Sequence, residues 1–440
     1  MKILYLAHRI PYPPNKGDKI RSFNEIKWLS KKHQIYLCCL ADNPEDLHYG
    51  DDLLAYCQQV KIVPVNPRIA KLKSVFALFS GESLSIPYFY AKTLQTAVDH
   101  LLATVAFDCI LCFSSPMAEY IFRSPALGRR SSGAPSAPRL VMDFCDVDSD
   151  KWLQYGQTAS FPLSRIYRLE GRRLARYERK TAEFFDHSVV ISQKEAEIFQ
   201  TRNPHICRLT VIANGVDYHY FDPDELHPLP PDSSLYSAPG KKSGYPVLLF
   251  TGAMDYHANA DGVIWFSKEI FPMIRKAVPE VRFYIVGSNP GRKVRALDNG
   301  DTIRVTGFVE DVRPYYQRAD ICVIPLRLGR GVQNKVLEAM AMGRAIVTTS
   351  KTIEGIHAVP GEHLLVGNDQ DSISRATITL LEDEDLRAKL GARARQQVRA
   401  WYNWSACMEK LESLLQEGHD RDLAARREYS HHSTILSGAD

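Results

Sequence analysis

The pattern most diagnostic of the fold is Arg327-Leu-Gly-Arg-Gly-Val-Gln-Asn-Lys-Val-Leu-Glu-Ala-Met-Ala-Met-Gly343. An apolar run, Ile321–Pro325, precedes it, and a second apolar run, Ala345–Thr349, follows it. The glycine-bearing start predicts a loop, the middle predicts a helix, and Gly343 predicts the end of that helix. The segment is therefore predicted to be a strand, a loop, a helix and a second strand in succession.

The loop and the helix after it carry charges that suit an anionic ligand. The N-terminus of a helix presents unpaired backbone N–H groups, and Arg327, Arg330 and Lys335 add positive charge beside them. We predict that a diphosphate suits this loop and that a sugar diol suits the carboxylate of Glu338, one turn further in. The alternative is an ordinary β-α-β crossover with a solvated basic turn, and it explains the positive charge of the loop, taken alone, at least as well.

Short apolar runs alternate with amphipathic helical stretches along both halves of the chain, which predicts two parallel sheets with right-handed crossovers. Pro-, Ser-, Asp- and Gly-rich residues 222–245 predict a linker between a first domain, 1–221, and a second, 246–400. A polar tail is predicted at 416–440. The predicted strands are Lys2–Ala7, Gln34–Leu40, Val60–Val65, Cys109–Phe113, Leu140–Phe144, His187–Ile191, Val247–Thr251, Arg282–Val286, Ile303–Thr306, Ile321–Pro325 and Ala345–Thr349.

Composition limits the class of protein. The 440 residues suffice for two domains, and 45% hydrophobic with 24% charged residues is typical of a soluble globular chain. A net charge of +4 is too small to indicate a nucleic-acid partner. Nine cysteines without a repeating spacing favour a reducing cytoplasm. The sequence has no apolar run of about 18 residues, so no membrane-spanning helix is predicted.

Ligands of open α/β sheets bind outside the carboxyl ends of the strands, so the loops after the strands hold the candidate site residues. In the first half these are Gly17, Asp18, Lys19, Arg21, Asp146 and Asp148. In the second half they are Gly252, Asp255, Asn259, Gly287, Phe308, Val309, Arg327, Gly331, Val332 and Glu338.

Four stretches stand out together: the loop with Gly17 near the start, Val211–Asp217 with Phe221 and Pro223, Gly307–Asp311 continuing to Asp320, and Leu337–Gly343. Together they resemble the retaining glycosyltransferases of family 4, which have the GT-B fold. The resemblance spans about residues 1 to 410 and implies two Rossmann-like domains facing a cleft, with a helix at 401–415 that packs back on the first domain. Gly17–Arg21 and Asp143–Trp152 also resemble a subgroup found with exosortase-linked exopolysaccharide systems.

The resemblance implies a nucleotide-sugar donor, a glycan or lipid-linked acceptor, and no cofactor. It implies that the second-domain candidates bind the donor and that Gly17, Asp18, Lys19 and Arg21 form an acceptor or diphosphate loop. Glu338 lies in the family's strongest motif and is expected to bind the donor ribose. Three functions compete at this point: a glycosyltransferase, a nucleotide-sugar epimerase of the same architecture, and a non-catalytic subunit of a polysaccharide assembly complex.

Departures from the family pattern bear on the mechanism. Arg330 stands where the family often has a Glu, and the segment after Thr251 lacks the Arg and Lys that often bind the donor phosphates. We hypothesise that Arg327, Arg330 and Lys335 supply that charge, with Arg330 and Lys335 catalytic. Positive charge on the leaving diphosphate would then be the main catalytic device, without a metal ion.

The proton acceptor is the second open question. Asp146 is the first candidate, with Asp148 and Asp18 as alternatives. Helix capping and turn formation explain the carboxylates of the Asp146–Asp150 string about equally well. A metal site at this Asp-x-Asp string is a further alternative, which the basic character of the phosphate loop disfavours.

Two basic stretches in the first half, Arg68–Phe79 and Ser164–Lys180, have apolar residues at roughly helical spacing. Such helices can bind anionic membrane surfaces, which would place a cytoplasmic protein on the inner face of the membrane. A solvated helix packed on its own sheet explains either stretch taken alone equally well. Both predictions concern the domain expected to bind the acceptor.

Overall fold

The computed structural model describes residues 1–14, 16–127, 137–225, 244–328 and 331–417. Arg330, most of the predicted linker and most of the predicted tail lie outside these ranges. The chain forms two compact units. The first comprises Met1–Ile212 and the chain from Ser405 onward, and the second comprises Ala213–Trp404.

The first unit contains a seven-stranded parallel sheet in the order β3-β2-β1-β4-β5-β6-β7. All five residues of β4 are buried, as expected for a parallel strand covered on both faces. The strands are β1 Lys2–Ala7, β2 Gln34–Ala41, β3 Gln59–Pro64, β4 Cys109–Phe113, β5 Arg139–Cys145, β6 His187–Val190 and β7 Leu209–Val211.

Helices connect these strands. They are α1 Gly17–Leu29, α2 Gly50–Leu54, α3 Pro67–Ser80, α4 Ser85–Tyr88, α5 Lys92–Thr104, α6 Ala118–Phe122, α7 Asp148–Thr158, α8 Leu163–Phe184 and α9 Gln193–Arg202, with short 3-10 turns at Pro44–Tyr49 and Ser115–Met117. Residues 404–417 are also helical. On this last helix Glu412 accepts a hydrogen bond from Trp28 Nε1 of α1 at 3.0 Å, so its later turns lie against α1.

The second unit contains a six-stranded parallel sheet in the order β10-β9-β8-β11-β12-β13. Its strands are β8 Val247–Thr251, β9 Arg282–Val286, β10 Ile303–Gly307, β11 Ile321–Ile324, β12 Ala345–Thr348 and β13 Leu365–Val366. Its helices are α10 His257–Trp265, continued by a π-helical turn Phe266–Ile270 into α11 Phe271–Ala277, then α12 Arg292–Arg295, α13 Arg313–Arg318, α14 Asn334–Ala341, α15 Ser350–Ile353, α16 Gln370–Glu382 and α17 Glu384–Trp401.

Each sheet reverses its strand order once. In the first unit the chain leaves β1 for β2 and β3 and returns to β4 on the other side of β1. In the second unit it leaves β8 for β9 and β10 and returns to β11 beside β8. Loops separate at such a switch point and leave a crevice beyond the strand ends. The two Rossmann-like sheets confirm the predicted fold class.

Within the ranges that the structure describes, no helix is both long enough and apolar enough to cross a bilayer.

Candidate functional site

Two glycines bring the backbones at the ends of β8 and β9 into close contact. Gly252 has φ +147° and Gly287 has φ +150°, a region that residues with a Cβ rarely adopt. A Cβ on Gly287 would lie 1.9 Å from the Gly252 carbonyl oxygen. The Gly252 N–H donates to the Val286 carbonyl at 3.0 Å, and the Gly287 N–H donates to Gly307 at 3.0 Å. The ends of β8 and β9, on one side of the switch point, are therefore lined by backbone, which a ligand can approach closely.

Lys335 reaches this backbone from the first turn of α14. Its Nζ donates to Asn259 Oδ1 at 2.9 Å, and a Cβ on Gly252 would lie 3.1 Å from its Cε. Asn259 is buried and is itself fixed, because its Nδ2 donates to the Ala253 carbonyl at 2.8 Å. Burial lowers the pKa of Lys335 to about 8, against the opposing effect of the Glu338 carboxylate. The ammonium is thus held in place but poorly solvated, and it would gain from an anionic partner.

Glu338, one turn further along α14, is oriented by a buried tyrosine. Tyr316 Oη donates to Glu338 Oε2 at 2.9 Å and lies 2.7 Å from Thr251 Oγ1. Burial raises the pKa of Glu338, while the Tyr316 hydrogen bond and the charge of Lys335 limit the rise. In the part of the chain that the structure describes, Glu338 Oε1 has no hydrogen-bond partner. One carboxylate oxygen is therefore fixed and the other can accept hydrogen bonds from a ligand.

The start of α14 has the features of an anion-binding helix terminus. Gly331 has φ +63°, Val332 is buried, and the N-cap residue Gln333 makes no side-chain capping hydrogen bond. First-turn N–H groups that no side chain caps are suited to a phosphate or another anion. The predicted residues Gly331, Val332, Lys335 and Glu338 thus lie together on one short loop and helix.

Arg327 is already engaged by a carboxylate. Its guanidinium forms a bidentate ion pair with Asp261, with Nε–Oδ2 at 3.0 Å and Nη2–Oδ1 at 2.6 Å. The Arg327 Cζ also lies 5.1 Å from the centre of the Trp265 ring. The charge that Arg327 could offer to a phosphate is therefore largely compensated. Its predicted role stays a prediction, as does that of Arg330, which lies outside the described residues.

The remaining second-unit candidates follow β8 and β10. Asp255 accepts a weak hydrogen bond from Asn289 at 3.3 Å, and Asn289 has φ +54°. Phe308 directly follows β10 and is 69% exposed, whereas Val309 is partly buried. An exposed aromatic ring two strands away from β8 is available for stacking against a planar ligand group.

In the first unit, Asp18 lies beside two basic side chains. Its Oδ2 is 3.3 Å from His8 Nε2 and 2.7 Å from Arg9 Nη1. Burial would raise the pKa of Asp18, but the hydrogen bonds and charges of His8 and Arg9 outweigh it and hold the pKa well below its usual range. Asp18 is therefore a weak proton acceptor. Gly17 is exposed at the start of α1, and the buried Lys19 pairs with Asp46 at 2.7 Å.

The structure corrects the prediction for Arg21. This side chain is fully buried, and its Nη2 lies 2.6 Å from Asp143. Its Nε lies 3.0 Å from Glu25, and its Nη1 donates to the Ile212 carbonyl at 2.8 Å. Because its donors point at core partners and none of the side chain is accessible, Arg21 cannot contact an acceptor or a diphosphate. It joins α1 to β5 and to the end of β7 instead.

Asp146 follows an irregular strand end. The register of β5 shifts between Asp143 and Cys145, and Cys145 has φ +58°. Glu195, at the start of α9, accepts a hydrogen bond from the backbone N–H of Val147 at 2.6 Å. Burial and then the charge of Asp146 raise the pKa of Glu195 to about 8. Two carboxyl groups therefore lie close enough to influence each other at this strand end.

Glu195 was not predicted as a site residue. Its position was recognisable from the sequence, because Ser192 and Glu195 have the spacing of a capping box. In the structure, Ser192 Oγ accepts a hydrogen bond from the Glu195 N–H at 3.2 Å. Nearby, Asp148 pairs with Lys151 at 2.6 Å, and Asp150 pairs with Arg202. No group of three or more potential metal ligands occurs in the described ranges.

Residues 245–383 match the model of the family described as "Glycosyl transferases group 1". A Klebsiella pneumoniae protein, described as an uncharacterized 44.6 kDa protein in the cps region, is 29% identical over 379 residues, which cover 84% of this chain and 88% of that protein. The family match at residues 245–383 includes β8 to α16 and all the candidate site residues of the second unit.

Two further comparisons concern proteins with a stated ligand or activity. A Corynebacterium glutamicum enzyme, the GDP-mannose-dependent monoacylated alpha-(1-6)-phosphatidylinositol monomannoside mannosyltransferase, is 28% identical over 221 residues, covering 47% of this chain and 55% of the enzyme. The Anabaena protein Alr3699/HepE, crystallised with UDP, superposes with a TM-score of 0.65 at 14% identity, covering 95% of this chain and all of that chain. The second comparison shows a shared fold.

Proposed function

We propose that this chain, a GT-B-fold glycosyltransferase whose second unit matches group 1, transfers a sugar with retention from a nucleoside-diphosphate donor to a hydroxyl group. One observation carries the proposal: on α14, Lys335 lies against the Gly252 backbone at the end of β8, and Glu338 is oriented by Tyr316. A cation suited to the second phosphate and a carboxylate suited to a ribose diol lie one helical turn apart. UDP in the Anabaena structure and GDP-mannose in the Corynebacterium enzyme's name support a donor of this class.

The proposed reaction breaks the bond between the anomeric carbon and the diphosphate oxygen and forms a bond to the acceptor oxygen on the same face. Charge develops on the leaving diphosphate, where Lys335 and the N–H groups at the start of α14 would stabilise it. The acceptor proton passes to the leaving phosphate or to Asp146, which orients the hydroxyl. No metal ion or cofactor takes part in this scheme.

The proposed acceptor is a lipid-linked glycan in exopolysaccharide or cell-surface glycan synthesis, and the proposed location is the cytoplasmic face of a membrane. The name of the Corynebacterium relative, which includes a phosphatidylinositol mannoside, supports a lipid acceptor. We also propose the exosortase-linked subgroup. The strings that suggested it include Arg21 and Asp143, whose buried ion pair gives them a structural reason to occur together.

Ligand-induced thermal stabilisation with UDP, GDP and their sugar derivatives tests donor binding, because a ligand that binds the folded state raises the melting temperature. Mass spectrometry and proton NMR of the protein incubated with the stabilising nucleotide sugar, with and without membrane glycolipid extract, then test transfer, because NMR distinguishes epimers that have the same mass. We expect a glycosylated lipid and a free nucleoside diphosphate in the complete mixture. An epimerised donor formed without acceptor would indicate an epimerase. Donor binding without any product would indicate a non-catalytic subunit.

A further inference from the structure

Helix α3 carries its large apolar side chains on the outside of the first unit. Five of them are more than half exposed, and Phe79 alone is 87% exposed. They recur at intervals of three, four or seven residues and so lie on one face of the helix. They are Ile69 at 54%, Leu72 at 59%, Val75 at 52%, Phe76 at 66% and Phe79 at 87% exposure.

The opposite face of α3 is small and is the one that packs on the unit. Ala70 and Ala77 are buried, and Ser74 Oγ donates to the Leu84 carbonyl at 2.9 Å. This arrangement reverses the usual pattern of a surface helix, whose large apolar side chains face the core. Packing on the first unit therefore does not explain why α3 carries two phenylalanines, a leucine, an isoleucine and a valine on its outer face.

The helix is fixed at both ends. At its start, the Asn66 side chain accepts from the N–H of Arg68 at 3.0 Å. At its end, Arg173 of α8 donates to the carbonyls of Ala77 at 2.8 Å and Leu78 at 3.1 Å. These contacts hold α3 in one orientation and therefore keep its apolar side chains on the surface of the first unit. We call this surface the exposed apolar face, which consists of Ile69, Leu72, Val75, Phe76 and Phe79.

Cations surround the exposed apolar face. With about 100° per residue, Lys71 and Lys73 lie on its two sides, and Arg68 lies near its start. All three side chains are exposed, the helix contains no acidic residue, and no carboxylate in the described ranges pairs with them. Helix α8, joined to α3 through Arg173, exposes further arginines.

This charge pattern discriminates between possible occupants. A second copy of the same face would bring like charges together, which opposes self-association. An anionic bilayer offers acyl chains to the apolar side chains and phosphates to the lysines. We infer that the exposed apolar face of α3 inserts into an anionic lipid surface, with Lys71 and Lys73 at the level of the headgroups. The inference deepens the proposed membrane location and rests on that part of the proposed function.

The test is co-sedimentation of the full-length protein with sucrose-loaded vesicles of phosphatidylcholine alone or with 30 mol% phosphatidylglycerol, a composition that we choose as roughly that of an anionic membrane. The Phe76→Ser/Phe79→Ser variant removes the most exposed part of the face. Met273→Ser removes an exposed apolar side chain from α11 of the second unit and is the matched control. Thermal stabilisation by nucleotides, measured on every variant, reports separately on the donor site.

We expect wild type and Met273→Ser to bind anionic vesicles more tightly than neutral ones. The double variant should lose about tenfold or more in partition coefficient, since burial of one such side chain alone is worth about tenfold. Lys71→Glu/Lys73→Glu should lose the preference for phosphatidylglycerol. Equal binding by wild type and the double variant, or no wild-type binding to either vesicle, would overturn the inference. So would a wild-type dimer that the double variant abolishes, because a second copy would then occupy the face.

Discussion

The pH dependence of diphosphate binding depends on Lys335 and can be worked out from its surroundings. Burial lowers the pKa of its ammonium to about 8 in the absence of ligand. A diphosphate would stabilise the charged form, so binding above pH 8 takes up a proton. The affinity should be nearly constant below that pH and should fall by about tenfold per pH unit above it, because one proton is linked to binding.

Isothermal titration calorimetry from pH 6.5 to 9.5, a range chosen to span roughly 1.5 units on either side of the pKa, measures this dependence with the nucleoside diphosphate that stabilises the protein. The matching monophosphate should show a much smaller slope, since it lacks the second phosphate. Lys335→Ala should bind the diphosphate about ten- to a hundredfold more weakly at pH 7, as expected for a charged hydrogen bond of about 1.5–3 kcal/mol. It should also lose the slope above pH 8. If the variant keeps the wild-type slope, Lys335 is not the titrating group at the phosphate.

The same pKa predicts an effect of opposite sign on the unliganded protein. The unfolded lysine has the ordinary lysine pKa of 10.5, and the folded one has a pKa of about 8. Between these values the unfolded chain binds more protons, so the contribution of Lys335 to stability increases as pH rises. In urea unfolding, the free energy of unfolding of wild type relative to that of Lys335→Ala should therefore increase between pH 8 and pH 10. No relative gain would show that the folded pKa is not lowered.

Three other predictions concern binding, packing and catalysis. Glu338→Gln should weaken mono- and diphosphate binding alike by about tenfold or more in calorimetry, because both share the ribose, and unchanged affinity would contradict the ribose assignment. Gly287→Ala should lower the free energy of unfolding, measured with urea, by about 1–3 kcal/mol, because the new Cβ meets the Gly252 carbonyl, whereas Gly291→Ala, with open space around it, should be nearly neutral. Asp146→Asn should lower turnover by about a hundredfold while donor affinity and EDTA resistance persist. Loss of both activity and affinity in EDTA, restored by manganese, would instead identify a metal site.

Local sequence patterns were sufficient to predict most of the regular structure. The predicted strands Lys2–Ala7, Cys109–Phe113, Val247–Thr251 and Arg282–Val286 agree with the observed ones, because burial on both faces leaves a continuous apolar run. Strands β7 and β13 were not predicted. They have three and two residues, too few to carry a recognisable period, and their pairing depends on the neighbouring strand already being in place.

The roles of individual charges required the three-dimensional contacts. Arg21 looked like part of a ligand loop, yet its partner Asp143 lies 122 residues away and makes it a core residue. The guanidinium of Arg327 pairs with Asp261, 66 residues earlier, and its predicted role at a phosphate stays a prediction. A basic side chain has the same sequence signature whether its counter-charge is a ligand or a distant carboxylate, because pairing depends on which strand ends the sheet brings together. Lys335 differs in being held by a neutral amide, that of Asn259, which leaves its charge available to a ligand.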